Sequence, residues 1–301
     1  MLAVRVHRFG GPEELVLERI GVPEPVPGEA LVRVLAAGVG PWDALVRMGR
    51  SGVPQTLPLT PGSDIAGTVE QISPDATPPA VAVGDAVYGV TNDSFTGGYA
   101  QYAVASLGSI ARKPSRLGFV EAASAPVVAA TAWQMLFDHA CVSAGQTVLV
   151  LGAGGNVGGY AVQLATWAEA RVIRISRPDD AREFGNLRES VDAVIDTVGG
   201  ETQASSFVTL KKGGILVSSV APPPQDLASR FGVRTAYFIV HVSTAQLGRI
   251  ARLFDAGAIE TNVGTVLELA GARKAHEMLA GIVPHSRGKI VLRVASEQNP
   301  G

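Results

Sequence analysis

The chain has 301 residues, 47% of them hydrophobic, with 25 basic and 27 acidic side chains and a net charge of −2. That supplies the apolar core of one large or two ordinary domains. Charges spread without blocks give no electrostatic footprint for nucleic acid or an anionic membrane, so neither is expected as a partner. The single cysteine, Cys141, excludes an intramolecular disulfide and any metal site built from several thiolates. It fits a reducing compartment and is expected to be a small buried filler. The opening MLAVRVHRFGGPEEL lacks the apolar core of a signal peptide, and the longest apolar region, AASAPVVAATAWQMLF, is interrupted by Pro126. A cytoplasmic location is the expectation.

From Leu2 to about Ala105, short runs of strand character (LAVRVHRFG, ALVRVLAAGVG, DIAGTVEQI, DAVYGV, GGYAQYAVA) alternate with turn clusters such as VPEPVPGE. They predict a compact, partly barrel-like β domain. From about Phe119 an alanine-rich helical segment begins, and strands and helices then alternate as in βαβ units. TVLVL (147 to 151) reads as a parallel strand buried on both faces. Val157, Ala161, Leu164, Ala165 and Ala168 recur at helical spacing after it. RVIRIS, DAVIDTVGG, GGILVSSV and VRTAYFIV continue a doubly wound pattern. A helix around Ala270 to Ala280 precedes a closing strand, GKIVLRV, that returns to the first domain. Between RVIRIS and DAVIDTVGG only 177 to 190 remain, too little for the further strand and helices of a full doubly wound domain. Either these are deleted or the sequence omits a stretch.

QTVLVLGAGGNVGGYAVQLA, from Gln146 to Ala165, carries a strand, a glycine-rich turn and a helix in the order of a dinucleotide-binding unit. Aligned strictly to G-x-G-x-x-G, the three positions hold Ala153, Gly155 and Gly158. Gly155 lets the backbone approach a pyrophosphate, Gly158 lets the helix pack close to the strand, and the helix N-terminus offers free N–H groups. Where NAD-specific units place an acid after the second strand, this chain has Ser176 and Arg177. A hydroxyl and a guanidinium suit a 2′-phosphate, which predicts NADPH as the cofactor.

AAGVGPWDALVRMG, TPGSDIAGTV, VGDAVYGV, GGYAQYAV, EAASAPVVAATAWQML, the glycine turn, VIDTVGG and HSRGKIVL, in this order and spacing, resemble the zinc-independent branch of the medium-chain dehydrogenase/reductase superfamily, the quinone oxidoreductase (zeta-crystallin-like) group. The resemblance covers almost the whole chain. It implies an α/β architecture, a Rossmann doubly wound parallel sheet inserted after a chaperonin-10-like β-barrel domain. The expected division is 1–118 with 266–301 for the barrel and 119–265 for the Rossmann domain. Zinc-dependent relatives carry a cysteine near GVGPWD and a His-Glu pair in the PGSD segment; here these places read Gly38 to Asp43 and Ser63-Asp64, so no metal is expected. Without a Lewis acid, hydride transfer to an already electron-poor acceptor is the implied chemistry.

Residue by residue, the resemblance places cofactor contacts at Thr131, Gly155, Asn156, Val157, Gly158, Ser176, Arg177, Val198, Phe238, Val240 and Ser286. Asp43 and Thr131 are the catalytic candidates. Two positions depart from the family: its asparagine in GVNPxD is Gly40 here, and a tyrosine shortly after is Leu45 or a neighbour. The reading is an NADPH-dependent reductase of quinones or other conjugated carbonyls, a small-molecule electrophile being the only substrate class implied. The alternatives are an enoyl or 2-alkenal reductase and a weakly catalytic NADPH-binding sensor. A homodimer through the VRTAYFIV edge is implied by the relatives.

Overall fold

The computed structural model describes residues 1–74, 81–176 and 184–295. In chain order the elements begin with β1 (Leu2–Val6), β2 (Leu15–Arg19), β3 (Glu29–Val39), α1 (Pro41–Arg47), β4 (Asp64–Ile72), β5 (Ala86–Val90), β6 (Tyr102–Ser106) and β7 (Ile110–Arg112). They continue with α2 (Phe119–Ala123), α3 (Pro126–Trp133), β8 (Thr147–Leu151), α4 (Asn156–Trp167), β9 (Arg171–Ile175), β10 (Val191–Asp196), α5 (Gly200–Ser206) and β11 (Leu210–Ser218). The last are α6 (Gln225–Phe231), β12 (Arg234–Tyr237), α7 (Thr244–Asp255), β13 (Val263–Glu268), α8 (Ala272–Leu279) and β14 (Lys289–Arg293).

The chain forms two compact units, Met1–Val127 with Val242–Gly301, and Val128–His241. These limits differ from the expected 118/119 and 265/266. The alanine-rich α2 packs on β3 and β4, and α7 packs on β7. Both therefore belong with the first unit, because a helix joins the sheet against which its apolar face is buried.

In the first unit, β1 and β2 form an antiparallel pair, and the larger sheet runs β13-β14-β3-β4-β5-β7, with β6 also on β3. β14 pairs antiparallel with β3, Ile290 opposite Val39, so the closing strand does return to the first domain as its sequence predicted. The core of this unit gathers Val4, Val32, Val34, Ile65, Tyr99 and Ile110 from the strands with Leu269, Ala275 and Met278 from the C-terminal segment.

The second unit holds a five-stranded parallel sheet of order β12-β11-β10-β8-β9. The chain leaves β8 for the neighbouring β9 and then crosses to the opposite side at β10, the doubly wound reversal. β8 is buried on both faces, as its unbroken apolar run requires. Among the described residues no strand lies between β9 and β10; 184–187 form a single 3₁₀ turn whose Phe184 and Leu187 pack on the core.

Cys141 corrects an expectation. It is exposed, in a left-handed conformation with φ 53°, just after a π-helical turn over Gln134–His139. Among the described residues no helix is long and apolar enough to cross a membrane.

Candidate functional site

In the second unit, β8 ends at Leu151 and the next residue, Gly152, takes φ 80°. Its N–H and that of Ala153 both donate to the carbonyl of Ile175, at 2.8 and 3.0 Å. The left-handed position of the turn is therefore Gly152, one residue before the place the fingerprint alignment assigned, and an alanine at 153 costs nothing there. Gly155 caps α4 with no side-chain hydrogen bond, which leaves the first-turn N–H groups without a side-chain acceptor. A Cβ on Gly158 would lie 2.1 Å from the carbonyl oxygen of Gly152. Only glycine allows that approach of helix to strand. An uncapped helix N-terminus behind a turn that a Cβ would fill fits the pyrophosphate of a dinucleotide.

Two further sequence-predicted residues converge on this turn. Ser176, exposed directly after β9, has its Oγ 3.7 Å from where a Cβ of Gly154 would stand. Val198 is 44% exposed after β10, its Cγ2 2.9 Å from the corresponding position on Gly152. Gly155, Asn156, Val157, Gly158, Ser176 and Val198 are thus brought together at the C-terminal ends of the strands, where open parallel sheets bind ligands. Arg177 lies outside the described residues.

Thr131 is buried inside α3. Phe238 and Val240 are half-buried just beyond β12, and the ring of Phe238 lies 4.4 Å from that of His139. Ser286 belongs to the other unit, where it is exposed and its carbonyl accepts from Nδ1 of His285 at 2.7 Å.

The residue that shapes this loop cluster, Asp196, was not singled out from the sequence. Fully buried at the end of β10, its carboxylate accepts from the N–H groups of Val198 and Gly199 at 3.0 and 2.9 Å, from Gln203 Nε2 at 2.8 Å and from Ser218 Oγ at 2.7 Å. It fixes the loop that carries Val198. The available signal was an acid closing an apolar strand just before Gly-Gly in VIDTVGG.

In the first unit, Asp43 is the third residue of α1 and only 4% exposed. Its Oδ2 accepts from the N–H of Gly40 at 2.8 Å and from the hydroxyl of Tyr99 at 2.9 Å. Asp43 thus makes the reciprocal bond of a capping box at the start of α1. Burial pushes the carboxyl up to about 7, against the nearby Lys289 charge and the two hydrogen bonds, which pull it down. Burial, with Asp43 beside it, also raises Tyr99 well above the usual phenol range.

Lys289, in the Gly-Lys pair that opens β14, donates from Nζ to Oδ2 of Asp64 at 2.9 Å, both side chains buried. The other oxygen of Asp64 accepts from the N–H of Val127 at 2.9 Å. A Cβ on residue 40 would stand 3.2 Å from Lys289 Nζ. The glycine in place of the family's asparagine therefore leaves room beside the ammonium. Behind this pair, Arg47 Nη1 and His276 Nδ1 are 3.1 Å apart, with the Arg47 Nε donating to the carbonyl of Gly10 at 3.1 Å. Burial and the Arg47 charge hold His276 down at about 3, so its ring is neutral and Nδ1 accepts.

These donors do not form a metal centre. Among the described residues no group of three or more His, Cys, Asp or Glu side chains could hold a metal ion, and Asp64 is already committed to an ammonium and a backbone N–H.

Comparison with known proteins agrees with this architecture. Residues 26–115 match the sequence model of the alcohol dehydrogenase GroES-like domain, and residues 168–292 match that of a zinc-binding dehydrogenase domain. Human quinone oxidoreductase is 42% identical over 310 residues, covering 92% of this chain and 93% of the relative. The solved quinone oxidoreductase of Coxiella burnetii superposes with a TM-score of 0.86 at 27% identity, covering 98% of this chain and 99% of that one. The mycobacterial protein Rv1454c, solved in complex with NADPH, gives 0.85 at 30% identity over 98% of this chain and 100% of its own. With a doubly wound parallel sheet, a GroES-like domain and full-length likeness to such relatives, the chain belongs to the medium-chain dehydrogenase/reductase superfamily, in its quinone oxidoreductase group.

Proposed function

We propose that the protein is an NADPH-dependent, metal-independent reductase that delivers hydride to a quinone or a related conjugated carbonyl. The observation that carries the reading is the cradle formed by Gly152, Gly155 and Gly158 at the uncapped start of α4, into which a pyrophosphate fits and a side chain does not. Ser176 stands beside it, and Arg177 follows directly in sequence, a pair suited to a 2′-phosphate.

When bound, the cofactor supplies the hydride. The chain's own residues supply position and proton control. The glycine turn orients the dinucleotide, the Asp196-braced loop carries Val198 against the turn, and Thr131, Phe238, Val240 and Ser286 are further contacts implied by the family. On the first unit, Asp43 Oδ2 accepts two hydrogen bonds, and burial raises the carboxyl to about 7, within reach of proton exchange near neutrality. For a quinone, one hydride and one proton give the hydroquinone, and solvent or Asp43 completes the balance. A quinone reaches its stable product without a dedicated donor at carbon, which an enone needs for its α-carbon. The reading includes a homodimer through β12, a parallel edge strand with exposed Tyr237, and residence in the cytoplasm.

The test follows NADPH oxidation with a 1,4-quinone, with a small enone and with neither, each with and without a chelator. Quinone turnover indifferent to chelator is expected. Loss of activity with chelator would overturn metal independence, and tight NADPH binding without turnover would favour a sensor. Cofactor choice is tested separately: NADPH should bind at least about tenfold tighter than NADH, the margin that one charge-assisted phosphate contact supplies. Arg177→Ala should remove most of that preference, and equal affinities in the unaltered protein would sink it.

A further inference from the structure

The π-helical turn Gln134–His139 lies in the second unit, and the reaction proposed above gives it no role. Two of its side chains reach the same stretch of chain. The amide of Gln134 grips the backbone of His241 at both ends: Nε2 donates to its carbonyl at 2.5 Å, and Oε1 accepts from its N–H at 3.3 Å. The ring of His139 lies on that of Phe238, with centroids 4.4 Å apart and planes inclined by 31°.

The π geometry brings these two side chains to one side. Its i→i+5 hydrogen bonds set residues five apart almost one above the other, whereas on an α-helix of 3.6 residues per turn they would point about 140° apart. The gripped segment has no ladder of its own. The pairing of β12 with β11 ends at Tyr237, opposite Ser218, and 238–241 follow outside any helix or strand. Gln134 therefore gives His241 the pair of backbone partners that a neighbouring strand would give.

The place of this segment gives the grip a use. In the strand order β12-β11-β10-β8-β9, Ser176 follows β9 and the glycine turn follows β8. A dinucleotide with its 2′-phosphate at Ser176 and its pyrophosphate at the turn directs its nicotinamide half the other way, over β10 and β11 toward β12. We propose that Gln134 and His139 are positioning residues for that half of the cofactor, holding Phe238 and Val240 in the arrangement in which they meet it. The proposal rests on the NADPH reading above and on the contacts that the family implies at Phe238 and Val240. A segment ordered before the cofactor arrives spares binding the entropy of fixing it, so the grip strengthens NADPH and leaves ligands without a nicotinamide unaffected.

The test compares NADPH with 2′,5′-ADP, which carries the adenosine and the 2′-phosphate and no nicotinamide, each titrated calorimetrically into the full chain. Gln134→Ala should weaken NADPH at least about fivefold, the factor one net hydrogen bond supplies, and leave 2′,5′-ADP within about twofold of the parent. His139→Ala should weaken NADPH about threefold, and His139→Phe, which keeps a ring against Phe238, should restore the parent affinity. Amide hydrogen exchange at Phe238–His241 in the free protein should quicken in both alanine variants while β8 and β10 stay protected. Alanine variants that bind NADPH as the parent does, or that lose NADPH and 2′,5′-ADP alike, would overturn the proposal. A parent chain that binds neither ligand would overturn the NADPH reading, and the proposal with it.

Discussion

The hydroxyl of Tyr99 donates to Oδ2 of Asp43 at 2.9 Å in the interior of the first unit, joining the loop before β6 to the first turn of α1. Tyr99→Phe removes that donor and leaves Oδ2 with the Gly40 N–H alone. A loss of about 1 kcal/mol in urea unfolding is expected, as for a buried hydrogen bond. The Tyr99 bond favours the ionised carboxylate, so its removal should raise the Asp43 pKa further, visible in a carboxyl-carbon NMR titration. A lowered pKa in the variant would contradict the arrangement.

Asp43 and His276 give opposite pH dependences. The folded pKa of Asp43, about 7 against an ordinary 3.8, means that the native state holds a proton that the unfolded chain releases. Its contribution is present below about pH 4 and is lost as pH rises through 7. His276 is held at about 3 against an ordinary 6.5, so the unfolded chain takes up a proton that the native state refuses. That contribution is present above about pH 6.5 and lost as pH falls toward 3. Between these limits the two slopes, each about 1.4 kcal/mol per pH unit at most, oppose one another. Asp43→Asn should therefore make stability rise with pH between about 4 and 6.5, and His276→Gln should make it fall. Urea midpoints at three pH values in that window decide it; parallel profiles for the two variants would refute it.

Lys289→Met leaves Asp64 buried with only the Val127 N–H as partner. Breaking one side of a buried pair costs about 3–5 kcal/mol. The variant should melt well below the parent, and the Asp43 pKa should move up because the Lys289 charge no longer opposes burial.

Gly158→Ala places a Cβ 2.1 Å from the Gly152 carbonyl oxygen, backbone that cannot yield as a side-chain tip can. A cost of roughly 2 kcal/mol or more is expected from the forced shift of α4. NADPH affinity, read by fluorescence titration, should fall at least about tenfold because the cradle opens. Gly159→Ala, whose Cβ would meet only the Ala153 carbonyl at 4.0 Å, is the control and should leave both measurements near the parent.

Much of this was legible in the chain itself. TVLVL and DIAGTVEQI coincide with β8 and β4 at their limits because an unbroken apolar run and a tight pair of flanks leave no other register. The left-handed, exposed position of Cys141 and the boundary at Val127 were not legible, since both depend on how distant segments pack. α7 was missed although Ser243 caps it and Leu247, Ile250, Ala251 and Phe254 lie at helical spacing. β13, with Glu268 and small residues in a half-exposed run, carries too weak an alternation to announce a strand.

Sequence by itself determined the doubly wound unit, the glycine turn and the family, because local periodicity and close-approach glycines are written in consecutive residues. Only the tertiary structure decided that Gly152 and not residue 153 makes the left-handed turn, that Asp196 braces the loop beside it, and that Asp43, Tyr99, Asp64 and Lys289 share one buried cluster. These partners are 56 and 225 residues apart along the chain for the two main pairs. Asp43 and Tyr99 acquire perturbed protonation from desolvation, a property of the packed interior that no stretch of sequence carries alone.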